Sequence, residues 1–259
     1  MNLIADTHTH TIASTHAYST LQENAAAAAE RKLYALAVTD HGALMPGAPG
    51  KWYFENLRVI PRRLGGVLIL RGEETDVIDG EGNTDLIPPD LETLDWVVAS
   101  IHRPVFNRYV PDGRGRWKPV DSPKPATPEE VTAAWLAVAK NPRVNVIGHS
   151  GTANYVFDYE AVVPEFGRNG KLVELNESTF GNRKTSVPNC RKIMELCKKH
   201  GVPVIVNSDA HFSAQIGRFP QSLGLLEELD FPEELVVNSS VGRFEAYLKQ
   251  HTRVFGGDG

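Results

Sequence analysis

Leu3-Ile4-Ala5-Asp6-Thr7-His8-Thr9-His10 is a short apolar run that leads into two histidines separated by one residue. Alternate residues of a β-strand point to the same face, so a strand that ends in this motif directs both imidazoles to one point. Imidazole is a common protein ligand for zinc, copper, iron and nickel. The segment therefore predicts a strand that carries two metal ligands at its carboxyl end.

Apolar runs that end in polar residues recur along the chain, and amphipathic stretches separate them. This alternation is typical of repeated βα units. About seven units follow one another without a linker, so we predict one α/β domain over residues 1–255 and a disordered tail over residues 256–259. The predicted strands cover residues 3–6, 35–39, 67–70 with a continuation to 73–74, 95–101, 144–147, 171–175 and 204–206. The predicted helices cover residues 20–32, 52–63, 188–201, 220–229 and 241–250, and another begins at 127.

Composition narrows the class of protein. The chain has 259 residues, a net charge of −5 and 41% hydrophobic residues, which fits one globular domain and makes nucleic acid an unexpected partner. No apolar run approaches the ~18 residues of a membrane span. The cysteines Cys190 and Cys197 fall on one predicted helix, about 10.5 Å apart, which is too far for a disulfide. Because the first residues enter a strand rather than a signal peptide, we expect a cytoplasmic enzyme.

Further candidate ligands follow the other predicted strands. In parallel β/α barrels the loops at the carboxyl ends of the strands form the active site, so these side chains should converge. Nine ligands are too many for one tetrahedral ion and indicate two or three. The strand alternation allows either Glu73 or Glu74, but not both, to reach the barrel mouth. The candidates are His8, His10, His16, His41, Glu74, His102, His149, Asp209 and His211.

Two further features surround these candidates. Asp6 and Asp40 could orient metal-bound imidazoles by accepting a hydrogen bond from the second ring N–H. Alternatively, they could form buried salt bridges or lie at solvent-exposed strand ends. Residues 103–126 carry six basic residues against two acidic ones and form an unusually long connection. That insertion is either a lid that recruits an anionic substrate or a solvated segment or subunit contact.

The chemistry of such a cluster favours hydrolysis. Bound metals lower the pKa of water toward ~7 and offset the charge of a phosphate. The chain contains neither a P-loop nor a Gly-x-Ser-x-Gly elbow. Metal-assisted hydrolysis therefore explains the residues better than nucleotide-dependent transfer or serine chemistry.

Together the motifs resemble those of the PHP (polymerase and histidinol phosphatase) family, and most closely its stand-alone YcdX-like phosphatase branch. The similarity spans nearly the whole chain. The motifs that carry it are Asp6-Thr7-His8-Thr9-His10, Ser14-Thr15-His16-Ala17-Tyr18-Ser19-Thr20, Thr39-Asp40-His41-Gly42, Arg71-Gly72-Glu73-Glu74, the segment after His102 and Ser208-Asp209-Ala210-His211.

The resemblance implies a distorted (β/α)7 barrel and a site for three divalent ions, usually zinc, with manganese or iron as alternatives. It selects Glu74 over Glu73 as a carboxylate that bridges two ions. It implies one ion held by His8, His10, Glu74 and Asp209, a second by Glu74, His102 and His149, and a third by His16, His41 and His211. The branch usually has an acidic residue where this chain has Arg103 and His-Pro-Gly where it has His149-Ser150-Gly151, so the resemblance implies metal binding but does not fix the substrate preference.

The resemblance further implies a phosphoesterase for phosphomonoesters, in which a metal-bound hydroxide attacks phosphorus. Asp209, His211 and Glu74 would act through that hydroxide, and Arg103 would contact the substrate. Histidinol phosphate, sugar phosphates, nucleotides and phosphotyrosine remain open as substrates, and a homo-oligomer is compatible with the sequence. The alternatives are an amidohydrolase-type barrel that cleaves C–N bonds and a non-catalytic, metal-loaded accessory module.

Overall fold

Seven parallel strands form the main sheet of the computed structural model, which describes residues 1–86, 93–114 and 116–255. Their order is β1-β2-β4-β5-β8-β9-β10, β3 is antiparallel to β4, and β6 and β7 form a separate hairpin. The strands are β1 (Ala5–Asp6), β2 (Ala35–Val38), β3 (Arg63–Leu64), β4 (Val67–Asp76), β5 (Trp96–Ser100), β6 (Tyr109–Pro111), β7 (Trp117–Pro119), β8 (Val146–Ile147), β9 (Leu172–Asn176) and β10 (Val204–Asn207).

Helices connect the strands, as expected for βα units. The predicted capping boxes at Thr20 and Thr127 are present, and Gly201 closes the long helix with a φ of +65°, which glycine adopts without strain. Across the described residues, every helix is too short or too polar to cross a bilayer. The helices are α1 (Leu21–Glu30), α2 (Lys51–Asn56), α3 (Pro128–Ala139), α4 (Tyr159–Arg168), α5 (Ser178–Asn182), α6 (Val187–His200), α7 (Pro220–Glu228) and α8 (Val241–His251).

The structure confirms the distorted seven-stranded barrel and corrects the boundaries of several elements. The predicted helix over 52–63 is wrong in its second half, because Pro61 forces Ile60 into an extended conformation (ψ 126°) and Arg63 begins β3. Helix α4 escapes prediction because Pro164 lies inside it. The insertion over 103–126 contains the β6–β7 hairpin, and the tail at 256–259 lies outside the described residues.

One face of each barrel strand changes from apolar to polar toward its carboxyl end. Residues two apart share a face, so Leu68 and Leu70 lead to Glu74 on β4, and Leu172 leads to Glu174 and Asn176 on β9. The apolar halves of these faces pack together with Trp96, Val98 and Ile205 and with Phe244 and Leu248 of α8. A dry core therefore fills one end of the barrel, and the other end collects buried polar groups.

Side chains, rather than a regular ladder, close the barrel between β1 and β10. The buried Asn238 amide donates to the carbonyl oxygens of Ala5 (2.9 Å) and Val206 (2.7 Å), and its Oδ1 accepts from the backbone N–H of Val206 (3.2 Å). At the other end of the seam, the backbone N–H of His10 donates to the carbonyl of Ala210 (2.9 Å). This closure brings the carboxyl ends of β1 and β10 side by side.

We expect the substitution Asn238→Ala to destabilise the protein by at least about 2 kcal/mol, because buried backbone groups of both strands lose their partners. Thermal unfolding and urea titration would measure the change. Asn182→Ala, at an exposed position, is the matched control. Equal stability of the two variants would show that the seam does not depend on the Asn238 amide.

Candidate active site

The carboxylate of Glu74 lies at the centre of the polar end of the barrel and is buried. Five of the predicted imidazoles surround it, each with a ring nitrogen within 3.5 Å of a carboxylate oxygen. Oε1 lies 3.2 Å from His8 Nε2, 3.1 Å from His149 Nε2 and 3.5 Å from His102 Nε2, while Oε2 lies 2.7 Å from His41 Nδ1 and 3.5 Å from His10 Nε2.

The other predicted residues join this centre from the β10 side and from the first loop. Oδ1 of Asp209 lies 3.3 Å from His10 Nε2 and 3.7 Å from His8 Nε2. His16 Nε2 lies 3.0 Å from His41 Nε2, and the ring of His211 is 4.8 Å from that of His16. The structure thus brings all nine predicted residues together, although they come from six strands and one loop.

Backbone pairing and backbone strain fix several of these side chains. Past the end of β2, the N–H of Glu74 donates to the carbonyl of Asp40 (3.1 Å), and the N–H of Gly42 donates to the carbonyl of Glu74 (2.7 Å). This pairing sets His41 beside Glu74. His149 and Asp209 have φ values of +23° and +54°, which side-chain-bearing residues rarely adopt. Such strain is typical of functional sites, where surrounding contacts hold it in place.

Two carboxylates that sequence reasoning missed orient the imidazoles from behind. Glu174 Oε1 lies 2.7 Å from His8 Nδ1, and Asp76 Oδ1 lies 2.7 Å from His102 Nδ1. Glu174 also accepts from the backbone N–H of His149 (2.8 Å). A carboxylate behind an imidazole fixes the ring orientation and leaves its other nitrogen free to bind a metal. The signal in the sequence was their position on the inward face of β9 and β4.

Asp6 and Asp40 contact backbone and hydroxyl groups in the described structure rather than imidazoles. Asp6 accepts from the backbone N–H groups of Ser208 (3.0 Å) and Gly217 (2.9 Å). Asp40 accepts from the N–H (2.8 Å) and hydroxyl (2.7 Å) of Thr11, in the loop that leads to His16. Both carboxylates therefore hold the loops that carry ligands. Arg103 lies on the surface beyond His102 and lines a cavity at the rim.

Arg183 is a third residue that the sequence did not reveal. Its Nη2 donates to Oδ2 of Asp209 (2.9 Å), and its Nε is buried without a hydrogen-bond partner. Its charge is close enough to lower the pKa values of His102 and His149. Because the side chain is only 27% exposed, Arg183 places a half-buried cation and an unused donor beside the imidazole cluster.

The two central carboxylates stay ionised at neutral pH. Burial alone would raise the pKa of Glu74, but the imidazoles of His8 and His102 hold it well below its usual range. Burial likewise opposes ionisation of Asp209, and His8 and Arg183 keep its pKa well below the ordinary value. Ionised carboxylates are ligands that divalent cations prefer.

The imidazoles divide into two electrostatic groups. Burial lowers the pKa of His102 and of His149 to about 4, so both rings are neutral at pH 7 and offer a lone pair. For His8, burial also lowers the pKa, but the carboxylates of Glu174 and Glu74 raise it well above the ordinary value. The negative field that favours a proton on His8 favours a metal cation in the same place.

The residues present fit a group of divalent metal ions. Several buried polar atoms have no hydrogen-bond partner, although such atoms are nearly always paired in proteins. They include Nδ1 of His10, Nδ1 of His149 and Nε2 of His8, whose contact with Oε1 of Glu74 at 3.2 Å lacks the geometry of a hydrogen bond. Three groups have ligand atoms within 4.8 Å of one another: His8, His10 and Asp209; His41, Glu74 and His102; and His10, His41 and His211.

Comparison with known proteins agrees with this geometry. The family model of the PHP domain matches residues 6–178, and that of a PHP-associated segment matches residues 188–220. A protein named "Probable phosphatase" from Acetivibrio thermocellus is 44% identical over 250 residues, which cover 96% of this chain and 97% of that protein.

Two solved structures share the fold at low sequence identity. One is histidinol phosphate phosphatase from Lactococcus lactis, solved with zinc, L-histidinol and phosphate, with a TM-score of 0.59, 15% identity, and coverage of 90% of this chain and 95% of that one. The other is a chain in an archaeal ribonuclease P solved with mature tRNA, with a TM-score of 0.61, 14% identity, and coverage of 98% and 94%.

We expect Glu174→Gln to weaken zinc binding by about 10–100-fold, because the amide no longer holds the His8 ring through a charged hydrogen bond. Competition with a fluorescent chelator would measure the affinity. Glu160→Gln is the control, since Glu160 is exposed and pairs with Lys192. An unchanged zinc affinity in Glu174→Gln would show that metal binding does not depend on the contact between Glu174 and His8.

Proposed function

This chain belongs to the PHP domain family, and we propose that it is a metal-dependent phosphatase that hydrolyses small phosphomonoesters. One observation carries the proposal: the carboxylates of Glu74 and Asp209 lie buried among seven imidazoles, several of which have a ring nitrogen without a hydrogen bond. The Acetivibrio relative named as a phosphatase supports the same reaction class.

Three ions, with zinc as the first choice and manganese or iron as alternatives, would use all nine residues. His8, His10, Glu74 and Asp209 would hold the first ion. His102 and His149, which both face Oε1 of Glu74, would hold the second with that carboxylate. His16, His41 and His211 would hold the third. Such ions lower the pKa of bound water and offset charge on a phosphoryl group.

In this proposal the protein's own side chains orient the metal-binding imidazoles and position the substrate phosphate. Glu174 and Asp76 fix the rings of His8 and His102, and Asp209, His211 and Glu74 contribute through the ions they hold. Arg183 lies beside the cluster with its side chain 27% exposed, so its guanidinium is suited to bind an oxygen of the scissile phosphate. The guanidinium is half-buried, which strengthens its interaction with an anion.

Neither alternative function has a specific observation in its favour. An amidohydrolase of the kind considered above usually has a carboxylated lysine as the bridge, whereas Glu74 stands between the imidazoles here. Lys171, which precedes β9, donates to the carbonyls of Asn141 (2.6 Å) and Val144 (2.7 Å), at the end of the strand away from the site. An accessory module has no need to keep nine converging ligands.

The test is to measure metal content and phosphatase activity on one preparation of the full chain. We expect two to three equivalents of transition metal, hydrolysis of an aryl phosphate, loss of activity after chelation, and recovery with zinc or manganese. Glu74→Gln should lose both metal and activity. Full hydrolysis by metal-free protein, or stoichiometric metal without hydrolysis of any phosphate ester, would contradict the proposal.

Arg183→Gln should reduce kcat/KM for an aryl phosphate by about 100-fold or more, because a preorganised charged donor to the phosphoryl oxygens is lost. Metal content should be retained, since Asn176 still donates to Oδ2 of Asp209 (3.2 Å). Arg191→Gln is the control, because Arg191 is a surface residue that pairs with Glu228. Wild-type kinetics in Arg183→Gln would exclude this role.

A further inference from the structure

A cavity of about 480 Å³ lies at the rim of the barrel, beside the proposed active site. One wall comes from the segment after β5, with Arg103, Phe106 and Arg108, and continues to Lys124 at the end of the insertion. Another wall comes from the loop after β8, with Asn154 and with Tyr155, whose ring contacts that of Phe106 (centroids 5.6 Å apart). The cavity is therefore lined by three cationic side chains, an amide and a phenol.

The three cations have no carboxylate partner among the described residues. Neither Arg103 nor Lys124 takes part in a salt bridge there, and Arg108 uses its Nε to donate to the carbonyl of Arg103 (2.6 Å). By contrast, Arg116, on the hairpin of the same insertion, pairs with Asp112 (3.0 Å). Like charges that converge without a counter-ion repel one another, and an anion between them relieves that repulsion.

Short connections tie both walls of the cavity to ligand-bearing strand ends. Arg103 follows His102 directly, and the carbonyl of His102 accepts from the backbone N–H groups of Val105 (3.1 Å) and Phe106 (3.0 Å). On the other wall, the N–H of Thr152 donates to the carbonyl of His149 (3.1 Å). The cavity is thus adjacent to the face of the site formed by His102 and His149.

We infer that this cavity is a second anion subsite, which selects phosphomonoesters whose organic part carries a further carboxylate or phosphate group. The inference rests on the proposed phosphatase function and adds the substrate class. Arg103, Arg108 and Lys124 bind the remote anion, while Asn154 and Tyr155 supply hydrogen bonds. The volume suits a small metabolite. The insertion over 103–126 acts in this way as a specificity element.

Matched substrate pairs test the inference on the metal-loaded protein. Glycerol 3-phosphate is compared with 3-phosphoglycerate, which adds a carboxylate, and fructose 6-phosphate with fructose 1,6-bisphosphate, which adds a phosphate. We expect kcat/KM to be about tenfold higher for the more anionic member of at least one pair, mainly through a lower KM. The pair that shows the preference identifies the kind of anion.

Substitutions locate the preference. Arg108→Gln and Lys124→Gln should each lower the ratio of kcat/KM values within the preferred pair by about tenfold. Arg116→Gln, a charge change of the same size outside the cavity, should leave the ratio unchanged. The ratio in the unsubstituted protein should also fall as ionic strength rises from 0.01 M to 0.1 M, because the Debye length shortens from about 30 Å to about 10 Å.

The outcomes separate the subsite from the function on which it rests. Hydrolysis of an aryl phosphate with equal kcat/KM within both pairs overturns the subsite and leaves the phosphatase proposal standing. A preference that survives both substitutions and is insensitive to salt also overturns it. No hydrolysis of any phosphate ester by metal-loaded protein overturns both.

Discussion

Burial of negative charge is the constraint on which the rest of this structure depends. Glu74, Asp209 and Glu174 all lie buried in the polar end of one barrel, where an uncompensated carboxylate is costly. Protons on imidazoles compensate part of this charge, but His102 and His149 resist protonation because they are buried themselves. Divalent cations would resolve the conflict, because they would satisfy the carboxylates and the neutral imidazoles together. The arrangement is therefore understandable as a metal centre and is difficult to explain as a proton-based network.

The barrel delivers these groups through the alternation of its strands. Each inward face begins with residues such as Leu70 or Leu172, which pack in the dry core, and ends with polar residues such as Glu74 or Glu174. The strands are parallel, so their polar ends meet at one mouth. The seam held by Asn238 completes this arrangement, because without it Asp209 would not face the histidines of the first strand. The seam therefore both closes the barrel and assembles the site.

Sequence reasoning predicted the cluster because most of its residues occupy strand ends, a position that an apolar run marks directly. It correctly placed His8, His41 and Asp209 together although they are far apart in the chain. It missed Glu174 and Asp76, because they lie within predicted strands or their continuations rather than directly after an apolar run, and it did not follow the alternation of the inward face to them. It missed Arg183, because a turn between two helices carries no pattern that points to a distant carboxylate. The error over residues 52–63 has a local cause, since Pro61 overrides an otherwise helical composition.

An anionic substrate must approach a site whose buried protein groups are mostly acidic or neutral. Metal ions can provide positive charge at the reacting phosphate, and Arg183 adds to it, but this charge is largely enclosed by its own ligands. The uncompensated cations of the rim, Arg103, Arg108 and Lys124, lie outside that enclosure. Their field reaches solvent, so it can attract a substrate and bind the part that does not react. In the proposed function, chemistry resides in the strand ends and selectivity in the insertion, so substrate preference could change while the metal ligands stay the same.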